Sequence, residues 1–169
     1  MQQWKKDVDT FLQLADRFGI RMLMVGGAAV NFHGYQRHSA DVDFWIDTTQ
    51  ENLEKLGKVF QEMGFDFRGF PKEVEEQKQN ISLKFSPVDL DVELITKFNV
   101  GKTFKEAYES SEKGQIGTTN VARYHVLSFE DLITSKVKSA RAKDLLDVQE
   151  LKRIKSRETK RGRGLGLGY

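Results

Sequence analysis

Gly26-Gly27-Ala28-Ala29-Val30-Asn31-Phe32-His33-Gly34-Tyr35-Gln36-Arg37-His38-Ser39-Ala40-Asp41-Val42-Asp43-Phe44-Trp45-Ile46-Asp47 is the stretch that decides the reading of this chain. The apolar run Met22-Leu23-Met24-Val25 leads into it and reads as a buried strand that turns sharply at the two glycines. Ala28 to Phe32 reads as a helix whose N-terminus lies beside those glycines. Free backbone amides and the positive end of a helix dipole favour an anion such as a triphosphate. The plainer alternative is a tight strand-to-helix turn in which glycine serves only to reach a positive φ.

Asp41-Val42-Asp43-Phe44-Trp45-Ile46 begins with an alternation. Residues i and i+2 of a strand point to one side, so both carboxylates project together. Two carboxylates held close raise each other's pKa unless a cation lies between them. Mg²⁺ is a hard ion that takes carboxylate oxygens together with substrate phosphates, and it suits this pair. A solvated strand face is the other reading. A glycine turn followed at this spacing by paired acids points to phosphoryl or nucleotidyl transfer.

A further acid is available downstream. Val88-Asp89-Leu90-Asp91-Val92-Glu93-Leu94-Ile95 alternates strictly, which predicts a half-buried strand with Asp89, Asp91 and Glu93 on one face. Laid beside the Asp41/Asp43 strand, it brings one acid to the same metals. Asp91, central in the strand, is the expected third ligand, with Asp89 as the alternative. Three carboxylates around two metals would activate a hydroxyl and stabilise a departing pyrophosphate.

The approach to the acids carries Arg37, His38 and Ser39. Arg37 suits phosphate through its bidentate guanidinium, or alternatively a salt bridge to Asp41 or Asp47. Ser39 is placed to brace the aspartate loop through a side-chain to backbone hydrogen bond. His33 and His125 read as packing residues, and no His/Cys spacing suggests zinc.

The pattern Gly-Gly-x-Ala, then His-Gly-x-x-Arg-x-Ser-x-Asp-x-Asp, then a later strand acid, resembles the polymerase-β-like nucleotidyltransferase superfamily. Within that superfamily it resembles the minimal prokaryotic enzymes related to the AbiE-type toxin. Residues 22–95 carry this resemblance. A second match, Lys136 to Asp147, is similar to the basic-then-acidic helical motif of the toxin group. That resemblance implies contacts from Lys136 and Lys143 to nucleotide phosphates and a supporting role for Asp144. Many superfamily members have Gly-Ser where this chain has Gly26-Gly27, so backbone amides must replace the serine hydroxyl.

The resulting expectation is a Mg²⁺- or Mn²⁺-dependent enzyme that binds ATP or another NTP at Gly26, Gly27, Arg37 and Ser39. It would pass the NMP to a hydroxyl of RNA such as tRNA, of a protein or of a small molecule. A companion protein of a toxin–antitoxin pair is a further expected partner. The alternative is a non-catalytic, antitoxin-like binding protein on the same fold.

The expected fold class is α/β (α+β): a small twisted mixed sheet with helices packed on it and a helical C-terminal part. Trp4 to Phe18 reads as an amphipathic helix, and Thr48/Thr49 as the cap of a helix through Met63. Phe65 to Phe67 and Ile81 to Phe85 read as strands, Lys72 to Lys78 as a charged loop or a turn of helix. Phe104 to Tyr108 reads as a short helix, and Gly114 to Leu127 as one or two strands. Ser128 caps a helix toward Ala140. Ala142 to Lys155 follows as a helix with Leu145, Val148, Leu151 and Ile154 on its apolar face. The expected division is a nucleotidyltransferase core over 1–127, C-terminal helices over 128–155 and a flexible basic, glycine-rich tail over 156–169.

With 169 residues, 38% hydrophobic and 31% charged, the chain can build one core. Cysteine is absent. No span long enough for a membrane helix and no signal-peptide core are evident, so the expected location is the cytoplasm. The net charge of +2 is unevenly spread. Residues 152–163 hold seven Lys/Arg against one Glu, which leaves 20 basic and 24 acidic residues elsewhere. That basic end reads either as a nucleic-acid contact or as a solvated tail.

Overall fold

The computed structural model describes residues 2–39, 41–85, 91–119 and 121–165, with side chains described from 7 to 162 within these. Six strands form one mixed sheet: β1 (Met22–Val25), β2 (Asp41–Ile46), β3 (Ile81–Leu83), β4 (Asp91–Ile95), β5 (Glu112–Ile116) and β6 (Ala122–Val126). Their spatial order is β3-β4-β2-β1-β6-β5. The helices are α1 (Gln2–Arg17), α2 (Gly26–Phe32), α3 (Gln50–Glu62), α4 (Lys72–Glu75), α5 (Phe104–Glu109), α6 (Phe129–Ser139) and α7 (Ala142–Leu165).

All four residues of β1 are buried, as expected for an apolar run in mid-sheet. β1 runs antiparallel to β2 and parallel to β6, and β2 runs parallel to β4. This pattern sends the C-terminal end of β1 and the N-terminal ends of β2 and β4 to one edge of the molecule. Phe11 of α1, Phe44 of β2, Leu56 of α3, Leu94 of β4 and Leu132 of α6 are all fully buried in one continuous core. Phe11 meets Phe44 edge-on, with ring centroids 6.2 Å apart.

Local signals act much as their chemistry requires. Ser128 Oγ accepts the Asp131 N–H at 3.1 Å and caps α6, while Thr103 Oγ1 accepts the Glu106 N–H at 3.2 Å and caps α5. Thr49 stands at the N-cap of α3 without capping it; its hydroxyl donates instead to Asp47, which also pairs with Arg21 at 2.8 Å.

Several expectations need correction. Phe65 to Phe67 is not a strand. These residues form a loop whose Phe65 and Phe67 gather with Phe70 around Phe60, with centroids 4.6–6.1 Å apart. Clustering covers Phe60 fully and Phe67 and Phe70 in part, while Phe65 stays exposed, and no sheet edge is needed. β3 ends at Leu83 rather than Phe85, and β4 is described only from Asp91. The turn expected at Ser86-Pro87 and the alternative ligand Asp89 lie outside the described residues.

α7 departs most. It continues past Lys155 to Leu165, through much of the segment expected to be a tail. Its buried stripe is Asp144, Asp147, Val148 and Leu151, whereas Leu145 is 51% exposed. A partner for cationic side chains, rather than hydrophobicity, decides the first turn of that stripe. Among the described residues no helix is long and apolar enough to cross a membrane.

Candidate active site

Register places the acids. Val25 lies opposite Asp43, Asp41 beside Asp91, and Asp43 beside Glu93. Since i and i+2 share a face, the Asp41/Asp43 pair and the Asp91/Glu93 pair lie together at the end of the sheet where β1 turns into α2.

The two glycines make that turn possible in a way their sequence does not announce. Gly26 has φ +61°, a conformation costly for any residue with a Cβ. A Cβ there would sit 2.6 Å from Asp43 Oδ2, and one on Gly27 would sit 2.5 Å from Ser39 Oγ. Both side chains occupy space that only glycine leaves free. Helix α2 starts at Gly26 itself rather than at Ala28, so the glycines form its first turn. Ser39 Oγ donates to the Asp41 carbonyl at 2.9 Å and ties the incoming loop to β2.

Gly26, Gly27, Arg37, Ser39, Asp41, Asp43, Lys136 and Lys143 line a single open cleft of about 470 Å³, joined by His38 and Arg141. Eight residues singled out from sequence thus converge. Asp144 stands behind the wall, fully buried, and Asp91 is placed beside Asp41 by register without lining the cleft.

Behind the cleft lies a buried charge network. Arg37 Nη2 donates to Asp147 Oδ2 at 3.0 Å. Its Nε lies 2.8 Å from Asp147 Oδ1 but off the hydrogen-bond line, so that N–H is buried without an acceptor and the contact is ionic. Neither Asp41 nor Asp47, the partners of the alternative reading of Arg37, is involved. Lys136 Nζ reaches Asp147 Oδ2 at 3.1 Å and Asp144 Oδ1 at 3.3 Å. Arg141 Nε donates to Asp144 Oδ2 at 2.7 Å. Three cations thus share two carboxylates. That surplus, with Lys143 at the rim, gives the cleft a positive wall facing its acids.

Asp147 and Arg141 were visible in the helical motif yet were not singled out. The signal available was their spacing, since Asp144 and Asp147 at i, i+3 must share one helix face.

Electrostatics distinguish the two groups of acids. Burial first, then the charges of Asp41 and Glu93, push the Asp43 carboxyl above its ordinary value, against the lowering pull of Lys136 and Lys143. For Asp144, burial also pushes upward, but hydrogen bonds and charge from Arg141 and Lys136 outweigh it and hold the carboxyl below the usual range. Asp43 therefore lacks a sufficient counter-charge and Asp144 has one. Glu93, steadied by a 2.6 Å hydrogen bond from Ser82 Oγ, is the β4 acid felt at Asp43.

Among the described residues no three His, Cys, Asp or Glu side chains are gathered closely enough to hold a metal by themselves. The donor set instead fits Mg²⁺ in its usual manner, with one or two carboxylates completed by substrate phosphate and water. The raised Asp43 carboxyl is what such a cation would relieve.

Two outcomes follow. Because Asp43 binds its proton more tightly in the folded state, its ionised form costs stability at neutral pH. That cost disappears as pH falls through the folded pKa toward the ordinary aspartate value of 3.8. Metal-free Asp43→Asn is therefore expected to melt above wild type at pH 7, with the gap closing on acidification; a lower melting point at pH 7 contradicts this account. Asp147→Asn leaves Arg37 and Lys136 short of a buried counter-charge and should cost about 3–5 kcal/mol in denaturant titrations, with weaker nucleotide binding. An unchanged unfolding midpoint would show that the network contributes nothing.

None of the curated proteins matches the chain. A family model described as the nucleotidyl transferase AbiEii toxin of a type IV toxin–antitoxin system matches residues 11–162. That span takes in the glycine turn, the paired aspartates and the Lys136–Asp147 motif, and the chain belongs to the AbiEii nucleotidyltransferase toxin family.

Proposed function

We propose that this cleft transfers a nucleoside monophosphate from an NTP to a hydroxyl acceptor, with Mg²⁺ or Mn²⁺ as cofactor. The observation that carries the reading is the pair Asp41 and Asp43 on one strand face, opposed across a single cleft by Lys136, Arg141 and Lys143. Carboxylates facing ammonium and guanidinium groups across open space suit a cation and a polyphosphate bound together.

Gly26 and Gly27 add no side chain of their own to the cleft wall, and the phosphate would lie against their backbone beside Ser39, with the cation between it and Asp43. Lys136, Lys143, Arg37 and Arg141 hold the β- and γ-phosphates, and Asp144 and Asp147 aim them from behind. Asp41 and Asp43 hold the divalent cation, which when bound neutralises phosphate charge and lowers the pKa of an acceptor hydroxyl. The acceptor oxygen attacks the α-phosphorus in line. The bond to the pyrophosphate oxygen breaks, and the hydroxyl proton passes to a β4 carboxylate, for which Asp91 beside Asp41 is our assignment. Positioning and charge stabilisation supply most of the rate gain. The acceptor is RNA, a protein side chain or a small molecule. Family membership brings an antitoxin as the companion, and NTP use makes the cytoplasm the place of action.

Incubation with NTPs labelled at the α-phosphate, in the presence of cellular RNA, protein and small-molecule fractions, tests the reading. One acceptor class should become labelled with release of pyrophosphate. Asp43→Asn should reduce labelling by about a thousandfold, the several kcal/mol that a correctly held cation contributes. Undiminished labelling in that variant removes the metal-site assignment. The absence of labelling with every NTP favours the non-catalytic, partner-binding alternative.

A further inference from the structure

The strands that deliver acids to the cleft leave a different surface at the opposite end of the sheet. There the start of β1, the end of β2 and the segment after β4 meet α5. Three hollows of about 260, 430 and 430 Å³ lie side by side. Tyr108 lines the first two, while Phe104 and Asp47 line the second and third, so they join into one groove.

An aromatic ladder runs along this groove. Phe98 lies 5.5 Å from Trp45, and Trp45 lies 5.1 Å from Phe104. Phe104 stacks on Tyr108 at 5.5 Å, and Tyr108 stacks on His125 at 4.3 Å. All but Trp45 are half-buried and line the hollows. Tyr108 is stacked with both Phe104 and His125, so Phe98, tilted against Trp45 alone, is the ring best placed to receive a base.

Cations accompany the rings. Lys97, Lys105, Lys113 and Arg123 are exposed along the groove, and none makes an ion pair with another described residue. Of the three acids that line the groove, Asp47 pairs with Arg21, Asp16 accepts the Arg123 backbone N–H at 3.0 Å, and Glu109 keeps its charge beside Lys105, so the four cations outnumber the unpaired acids by two. Outside residues 152–163 the chain is net acidic, so four uncommitted cations along one line of rings depart from the surrounding surface.

From this arrangement we propose that the groove binds single-stranded nucleic acid, independently of the cleft and of the reaction assigned to it. Rings spaced along a cationic track suit bases that are free to leave their own stack, with phosphates following the lysines. A duplex keeps its bases stacked internally and offers these rings nothing.

Fluorescence anisotropy with single-stranded RNA and DNA of roughly 12 nucleotides, within the usual site size, provides the test. The wild-type chain should bind both, and bind an abasic strand of the same length clearly more weakly. The triple variant Lys97→Ser/Lys105→Ser/Lys113→Ser should bind roughly tenfold or more weakly and lower the salt slope by about 2. Its α-phosphate labelling, which depends on the other end of the sheet, should stay unchanged. Phe98→Leu should weaken binding to the normal strand but not to the abasic one.

Unchanged affinity and slope in the triple variant would overturn the proposal. So would loss of binding on substituting only Lys155, Arg157 and Lys160 of α7. Equal binding of abasic strand, polyglutamate and nucleic acid would overturn base stacking and leave a general anion surface.

Discussion

The site depends on two side chains that are absent. Gly26 and Gly27 occupy the only places from which Asp43 and Ser39 can close on the turn after β1, since a methyl group at either would collide with an oxygen. The antiparallel register of β1 and β2, which sets Val25 opposite Asp43, brings that carboxylate to the turn. The parallel register of β2 and β4 adds Asp91 and Glu93 to the same end. A backbone able to approach phosphate and a strand able to present carboxylates thus arise from one packing constraint.

The second constraint is electrostatic. Removing Asp144, Asp147 and Lys136 from water is expensive, and ion pairs in such settings are weak evidence for stability in themselves. Here the network has a geometric consequence. It joins α6 and α7 to the loop carrying Arg37, so that the helical C-terminal part forms one wall of the cleft. Asp43 follows the opposite logic: burial and the neighbouring charges of Asp41 and Glu93 leave its ionised form short of counter-charge and unfavourable for the fold on its own. Stability is given up at Asp43, the place where the proposed cation would supply the missing counter-charge.

Much of this was legible in the chain. β1 and β2 have the bounds their apolar and alternating runs imply, Ser128 caps α6, and eight expected site residues line one cleft. Short-range periodicity and capping chemistry act locally, and sequence displays them directly. What was not legible is tertiary. Phe65 and Phe67 have strand-like composition but cluster on Phe60. The stripe of α7 begins with aspartates because Lys136 of the preceding helix and Arg37, distant in sequence, lie beneath it. The partner of Arg37 proved to be Asp147 for the same reason: neighbours in sequence lost to a carboxylate 110 residues away.

The central claim is that one cleft binds nucleotide and divalent cation together. Calorimetric titration of ATP, GTP, CTP and UTP, with and without Mg²⁺, tests it most directly when run on wild type and on Asp41→Asn/Asp43→Asn. The account predicts binding of at least one NTP that strengthens with Mg²⁺ in the wild type and loses its metal dependence in the double variant. Equal metal-dependent binding by both proteins would contradict it, because the carboxylates at the glycine turn would then not be the cation's ligands.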